Sequence, residues 1–400
     1  MNFTFGFFGI LFLILLWLTL DYHLGRRKHL KALCHPNAPK RHSQIEIFTD
    51  GELLFKDYFG ELKRAKKHIH ILFYIARSDS FSQEFFNILI QKAAEGVEVR
   101  LMLDWVGSFR LKRKLIQKLK DAGGQFAFTQ VPRFPFFFYT SQIRNHRKIT
   151  VIDGKLGYLG GFNIGKEYVN QDEKFKTWRD YHLKMEGEGV NDLQKELLTN
   201  WRKNTKINLL NDEIYFPEQQ AGPIEHKIIP SEAIMLEKTF LGLISSAKET
   251  ILIGTPYFIP SPKIFHALLA AVKRGVAIKV LVPGITDHLL VQEASYPYLR
   301  RLLKEKAQVF QFLNGFYHAK TLMIDDRVCD IGTANFDKRS FFLNYEINCY
   351  MYDKNLIQLA KETIEKDFKD ARPLSLADLN QPNLWRSIKE KVASIFSHFL

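Results

Sequence analysis

His146-Arg-Lys148-Ile-Thr-Val-Ile-Asp153 and His318-Ala-Lys320-Thr-Leu-Met-Ile-Asp325 are two copies of one polar pattern in a chain of 400 residues. Each is followed at the same offset by a small-residue step and an asparagine, Gly160-Gly161-Phe-Asn163 in the first and Gly332-Thr333-Ala-Asn335 in the second. One His-x-Lys carries little information. Two matches over a frame of 18 residues, one in each half of the chain, point to a duplicated unit.

The duplication extends upstream of the motifs. Ala65-Lys-Lys-His-Ile-His-Ile-Leu-Phe-Tyr74 matches Ala247-Lys-Glu-Thr-Ile-Leu-Ile-Gly-Thr-Pro-Tyr257, a helix end running into a short apolar strand. An amphipathic helix follows in each half, around 84–95 and 263–274, then a second apolar strand, Gly96-Val-Glu-Val-Arg-Leu-Met-Leu103 and Gly275-Val-Ala-Ile-Lys-Val-Leu-Val282. Strand, helix, strand with nearly continuous apolar strands predicts βαβ units in a sheet covered on both faces. Basic helices at 111–122 and 296–306 lead into the motifs. The expected fold is α/β, two fused domains of the same kind at 46–215 and 216–375. Their boundary falls near 211–223, where Pro217, Gly222 and Pro223 cluster.

Within each motif, residues two apart on a strand share a face, so His146 pairs with Lys148 and His318 with Lys320. Ile149, Val151, Ala319 and Met323 are apolar and suit the opposite, buried face. Asp153-Gly154 and Asp325-Asp326 predict turns into return strands at 156–159 and 327–331. The Gly160-Gly161 and Gly332-Thr333 steps predict close backbone approach, with amides left available near an anion.

The formal net charge of +14 points to a polyanionic partner: nucleic acid, an anionic membrane surface or phosphate-bearing substrates. Cys34, Cys329 and Cys349 are too few and too scattered for a disulfide framework or a zinc site. The N-terminus chooses among the partners. Residues 3–20 are uncharged and apolar, and at ~1.5 Å per residue they reach roughly 27 Å, enough for a bilayer core. Arg26, Arg27, Lys28, Lys31, Lys40 and Arg41 follow, with no acid between Asp21 and Glu46. No basic residue precedes the apolar run and no small-residue cleavage site follows it, which argues against a cleaved signal peptide. The reading is a membrane anchor with its flank at 1–25 and a basic juxtamembrane segment at 26–45. That predicts a single pass with the rest of the chain facing the cytoplasm and adhesion of the basic segment to anionic headgroups.

Cleaving a phosphodiester needs a nucleophile, charge stabilisation on the non-bridging oxygens and an acid for the leaving alkoxide. Two histidines, His146 and His318, meet the first and last needs if one is neutral and the other protonated. Lys148, Lys320, Asn163 and Asn335 supply cationic and neutral donors for the phosphate. Each histidine also needs a carboxylate on its other ring nitrogen, and Asp180 and Glu346 are the candidates downstream. Asp153 and Asp325 belong to the motif set but sit in turns, where they read as structural anchors. No metal-ligand set is visible and the chemistry requires none.

In these residues the chain resembles the phospholipase D superfamily with its paired H-x-K-x4-D-x6-G-x-x-N motif. The stretches Gly160-Gly-Phe-Asn-Ile-Gly165-Lys-Glu-Tyr168 and Trp178-Arg-Asp-Tyr-His-Leu-Lys-Met-Glu-Gly187 look like the first catalytic half of bacterial cardiolipin synthases. Tyr317-His-Ala-Lys-Thr and Ala334-Asn-Phe-Asp-Lys-Arg339-Ser340-Phe-Phe-Leu-Asn344-Tyr-Glu346-Ile-Asn348 look like the second. The resemblance covers 46–374. It departs at Thr333, where serine is commoner, and in having one N-terminal span where many such enzymes have two. It implies two phospholipase D-like domains, pseudo-twofold related, each a mixed sheet flanked by helices. It also implies transfer of a phosphatidyl group between two phosphatidylglycerol molecules without a cofactor, with His146 as nucleophile, His318 as acid/base and a phosphohistidine between. A phospholipase D-like hydrolase and a transferase using another alcohol are the alternatives, and a nuclease is disfavoured by the membrane run.

Two further segments stand out. Pro132-Arg-Phe134-Pro-Phe-Phe-Phe-Tyr139 holds two prolines and five aromatics, suited to the core, to a bilayer surface or to an acyl-chain entrance. Residues 376–400 carry Leu384, Trp385, Ile388, Val392, Ile395 and Phe399 at helical spacing, an amphipathic helix fit for a membrane interface or for docking on its own domain.

Overall fold

The computed structural model describes residues 2–33, 38–380 and 384–400. In the first half the strands are β1 (Arg41–Asp50), β2 (His68–Phe73), β3 (Glu98–Asp104), β4 (Gln125–Thr129), β5 (Ile149–Ile152), β6 (Leu156–Gly160) and β7 (Trp178–Gly187). The second half holds β8 (Ile224–Ser231), β9 (Thr250–Gly254), β10 (Ala277–Pro283), β11 (Gln308–Phe312), β12 (Thr321–Ile324), β13 (Val328–Gly332) and β14 (Glu346–Met351). Outward from the seam the first half runs β1, β7, β6, β5, β2, β3, β4, and the second runs β8, β14, β13, β12, β9, β10, β11. The two orders are the same, rank for rank, so the duplication seen in the motifs is a duplication of topology. A short edge strand, Ala371–Pro373, adds to β11.

The halves do not form separate sheets. β1 and β8 pair antiparallel over Arg41↔His226, His42↔Glu225 and Ser43↔Ile224, making one continuous mixed sheet. Within each half the three outer strands are parallel. They need helical crossovers, and the amphipathic helices Ser80–Ala94 and Pro262–Lys273, with Arg113–Asp121 and Val291–Lys304, supply them. The inner strands are antiparallel hairpins. Asp153-Gly154 and Asp325-Asp326 turn with positive φ at both residues, the left-handed pair that tight hairpins require. Helices Gly189–Thr205 and Lys354–Lys369 cover the other face, and one apolar core joins the halves through Leu183, Leu193, Ile331, Ile347 and Ile364.

Within the basic juxtamembrane segment 26–45, α1 (Asn2–Lys31) carries on from the apolar run through the basic flank, and β1 begins at Arg41, with Ser43 paired to Gly187. Residues 34–37, including Cys34, and 381–383 lie outside the described residues. In the boundary stretch 211–223, Tyr215 is buried against His68 and His70. Cys329 and Cys349 are buried free thiols.

α1 is long and apolar enough to cross a membrane, and its first five turns touch almost nothing else in the fold. The C-terminal helix Leu384–Phe396 docks on its own domain. Ala393 packs into the domain and Glu390 forms an ion pair with Arg300 at 2.7 Å, while Trp385 and Ile395 stay about three-quarters exposed.

Candidate active site

The motif histidines lie just ahead of their strands, not on them, because β5 starts at Ile149 and β12 at Thr321. Each lead-in segment is held by the opposite half of the chain. His146 N donates to Tyr345 O at 2.9 Å, and Tyr345 N returns a bond to Arg144 O at 2.8 Å. In the mirror position Phe316 and Tyr317 pair with Trp178 and Arg179 of β7, and His318 N donates to Arg179 O at 2.7 Å. Asp104, at the end of β3, fixes the first lead-in through Arg144 Nη1 (3.1 Å) and Asn145 N (2.8 Å). The site therefore forms at the carboxyl ends of the parallel strands, along the seam.

The same exchange governs the carboxylates. His146 Nδ1 donates to Glu346 Oε2 at 2.9 Å, so the first half's histidine is oriented from the second half. His318 Nδ1 donates to Asp180 Oδ2 at 2.5 Å, the reverse case. With Nδ1 committed, Nε2 is the nitrogen left over on both rings. The rings are steadied by aromatic walls, Tyr74 at 5.0 Å from His146 and Trp178 at 4.8 Å from His318.

The two carboxylates differ in length, and the residues beside them compensate. Glu346 accepts from Thr333 Oγ1 (2.6 Å), Ser340 Oγ (2.8 Å) and Asn344 Nδ2 (3.2 Å). Opposite Asp180 the position matching Thr333 is Gly161, where an added Cβ would lie 2.0 Å from Asp180 Oδ1. The glycine step is thus needed for the carboxylate. Its amide, expected to face an anion, instead donates to Tyr181 O at 2.8 Å, and that of Thr333 to Ile347 O at 3.0 Å.

Lys148 and Lys320 are buried and each donates to the carbonyl of its own histidine, Lys148 at 2.7 Å. Lys320 Nζ also lies 2.7 Å from His318 Nδ1 and 3.6 Å from Asp180 Oδ2. Asn163 Oδ1 accepts from Ile75 N at 3.1 Å, and its amide reaches Tyr168 OH at 3.4 Å. Asn335 Nδ2 donates to Asp337 at 3.1 Å, while its buried Oδ1 has no partner among the described residues.

Asp153 and Asp325 sit at the far ends of the strands. Asp153 accepts from the amides of Lys66 (2.9 Å), Lys67 (2.7 Å) and His68 (2.9 Å), ahead of β2. Asp325 does the same for Lys248 (2.8 Å), Glu249 (2.8 Å) and Thr250 (2.9 Å), ahead of β9. A six-residue strand at ~3.3 Å per residue separates such an anchor from the catalytic end by roughly 20 Å. They tie each hairpin to the strand beside it.

Electrostatics follow from burial. Desolvation pushes His146 and His318 each down to about 4, against the pull of Glu346 and Asp180, so both rings are neutral near pH 7. Burial also lowers Lys148 to about 7 and Lys320 to about 8. Burial alone would raise Glu346 and Asp180. The groups facing them win, through hydrogen bonds from His146 and His318 and the charge of Lys148 and Lys320, and both carboxyls lie below their ordinary values. An anionic phosphate entering such a site is met by groups ready to gain protons.

Comparison with known proteins matches this arrangement. The family description "Cardiolipin synthase, PLD-like domain" fits residues 58–176 and again 240–368, one match per half. The chain belongs to the cardiolipin synthase family. The minor cardiolipin synthase ClsB of Bacillus subtilis (strain 168) is 41% identical over 381 residues, 95% of each chain. A cardiolipin synthase of Oceanobacillus iheyensis is 37% identical over 360 residues, 89% of this chain and 75% of that one. Among solved structures, a phosphatidylserine synthase of Haemophilus influenzae Rd KW20 superposes with a TM-score of 0.71 over 91% of this chain and 98% of that one. Its 16% identity makes that a likeness of fold. The chain is a phosphatidyltransferase of this family, and each of its two histidine–carboxylate pairs joins residues of both repeats.

Tyr74, Ser340 and Asn344 were not singled out from the sequence as parts of the site. Tyr74 had a signal, since it closes the duplicated strand opposite Tyr257.

Proposed function

We propose that the chain is a cardiolipin synthase that joins two phosphatidylglycerol molecules and releases glycerol. The observation that carries this reading is the pair of histidines, each held by a carboxylate from the other half, in a chain of the cardiolipin synthase family. Neutral His146 attacks phosphorus through Nε2 and the bond to the glycerol headgroup breaks. His318, protonated in the substrate complex, gives its proton to the departing alkoxide. The primary hydroxyl of a second phosphatidylglycerol then yields its proton to His318 and attacks the phosphohistidine, freeing His146. Lys148, Lys320, Asn163 and Asn335 surround the phosphate, and their donors oppose the charge that builds on its non-bridging oxygens.

α1 spans the bilayer once with the catalytic halves on the cytoplasmic side; the net charge of +14 suits any polyanion, and the apolar run of α1 favours an anionic membrane surface over nucleic acid. Purified full-length protein incubated with phosphatidylglycerol alone tests the reading. Cardiolipin and glycerol in equal amounts support it. Phosphatidic acid as the main product would make the enzyme a hydrolase, and salt-sensitive DNA cleavage would make it a nuclease.

A further inference from the structure

α1 does not leave the fold where its apolar run ends. Asp21 Oδ1 accepts from Tyr139 N at 2.7 Å, His29 Nδ1 lies 2.8 Å from Tyr139 OH, and Gly25 sits so close that an added Cβ would be 2.7 Å from the tyrosine side chain. The last turns of the membrane helix are thereby clamped to the aromatic segment 132–139. Beside this clamp a cavity of about 320 Å³ opens, walled by Lys28, His29, Arg133, Phe134, Phe136 and Tyr345. None of the histidines, lysines or asparagines of the catalytic centre lines it.

Position, charge and shape select its occupant. Leu24 is half exposed on α1, and Lys28 follows one turn later, about 6 Å further along the helix axis. A headgroup layer adds roughly 5–8 Å beyond the hydrocarbon. The uncharged run ends at Leu20, and Lys28 lies eight residues on, about 12 Å along the axis, so its long side chain reaches back toward the membrane to meet a phosphate. Lys28 and Arg133 are exposed, and among the described residues neither is in an ion pair with a carboxylate. Phe134, 80% exposed, and Phe136 supply apolar surface beside the cations, with the Lys28 ammonium 5.8 Å from the Phe136 ring. Cations beside apolar rings match a phosphate next to its acyl chains. The volume is in the range of small-ligand sites, ~300–1,000 Å³.

We infer that this cavity binds one anionic glycerophospholipid of the surrounding leaflet, apart from the catalytic centre, with Lys28 and Arg133 on its phosphate and Phe134 and Phe136 against the first acyl carbons. The inference rests on α1 standing in a bilayer, and its test does not depend on turnover. Full-length protein in phosphatidylcholine vesicles is irradiated with a trace of photoactivatable phosphatidylglycerol, and labelled peptides from 24–33 and 130–140 are quantified. Labelling of those peptides should fall on the order of tenfold in the double variant Lys28→Gln/Arg133→Gln. The double variant Arg27→Gln/Lys31→Gln removes the same charge outside the cavity wall and should label like the unaltered protein. A photoactivatable phosphatidylcholine should label these peptides weakly in all three. Equal losses in both double variants would reduce the effect to surface charge and overturn the site. So would undiminished labelling in Lys28→Gln/Arg133→Gln, or equal labelling by the two lipid probes.

Discussion

Glu346 of the second repeat holds Nδ1 of His146 of the first at 2.9 Å, across 200 residues of sequence. Asp180 of the first repeat returns the relation to His318 at 2.5 Å. Neither half therefore holds a complete histidine–carboxylate pair.

Replacing Glu346 by Gln removes the charge that fixes the His146 tautomer while keeping the volume. The expected result is a loss of at least about a thousandfold in kcat with little change in KM, by analogy with the orienting acid of a hydrolase triad. Thr333→Val removes only one of the donors that seat Glu346, and should cost between about tenfold and a hundredfold. Steady-state kinetics on mixed micelles separate the two. A Glu346→Gln enzyme as fast as the unaltered one would remove the orienting role.

Asp153 should matter for stability and not for chemistry. Its carboxylate satisfies three backbone amides ahead of β2, so Asp153→Asn should lower the unfolding free energy by about 1–3 kcal/mol. The fraction that remains folded should turn over at nearly the unaltered rate. Denaturant midpoints and active-site-normalised kcat are the two measurements, and a large kcat loss in fully folded protein would put Asp153 in the reaction.

Because burial depresses His146 and His318 each to about 4, an entering phosphate should raise both and draw in protons. Inorganic phosphate should then bind with net proton uptake near pH 6–7, more tightly as pH falls toward 5, as calorimetry in buffers of different ionisation enthalpy would show. Folding stability carries the opposite sign. Between about pH 4 and 6.5 the unfolded chain binds more protons than the folded one, so stability from these histidines is full above 6.5 and lost as pH falls to about 4. Proton release on phosphate binding would contradict the electrostatics.

The docking of α1 separates two truncations. Removing residues 1–20 takes away the exposed apolar turns and leaves Asp21, Gly25 and His29 on Tyr139, so the protein should stay folded and active on detergent-dispersed lipid. Removing residues 1–31 uncovers Tyr139 and Tyr345 and should lower the thermal midpoint by several degrees. Equal midpoints for the two would show that the clamp contributes nothing.

Much of this was legible in the sequence, for physical reasons. The repeated His-x-Lys spacing, the matching apolar strands and the uncharged run at 3–20 are local patterns, and local patterns survive in one dimension. The nature of Asp180 and Glu346 was readable, but their exchange between halves was not. It depends on contacts 138 and 200 residues apart, set by the antiparallel seam at Ser43 and Ile224. The glycine step at Gly161 read as room for an anion because a sequence does not show that Asp180 fills that space. Lys28 read as a lipid-facing flank, with no sign that Gly25 and Tyr139 lock its helix to the aromatic segment.

The most direct test of the composite centre is the covalent intermediate. Full-length protein is mixed briefly with radiophosphorus-labelled phosphatidylglycerol, quenched and digested. Acid-labile label on the peptide bearing His146, absent from His146→Ala and with turnover abolished in both His146→Ala and His318→Ala, is the predicted result. Substantial turnover in either single variant, or turnover with no label on a histidine, would contradict a single site built from both halves.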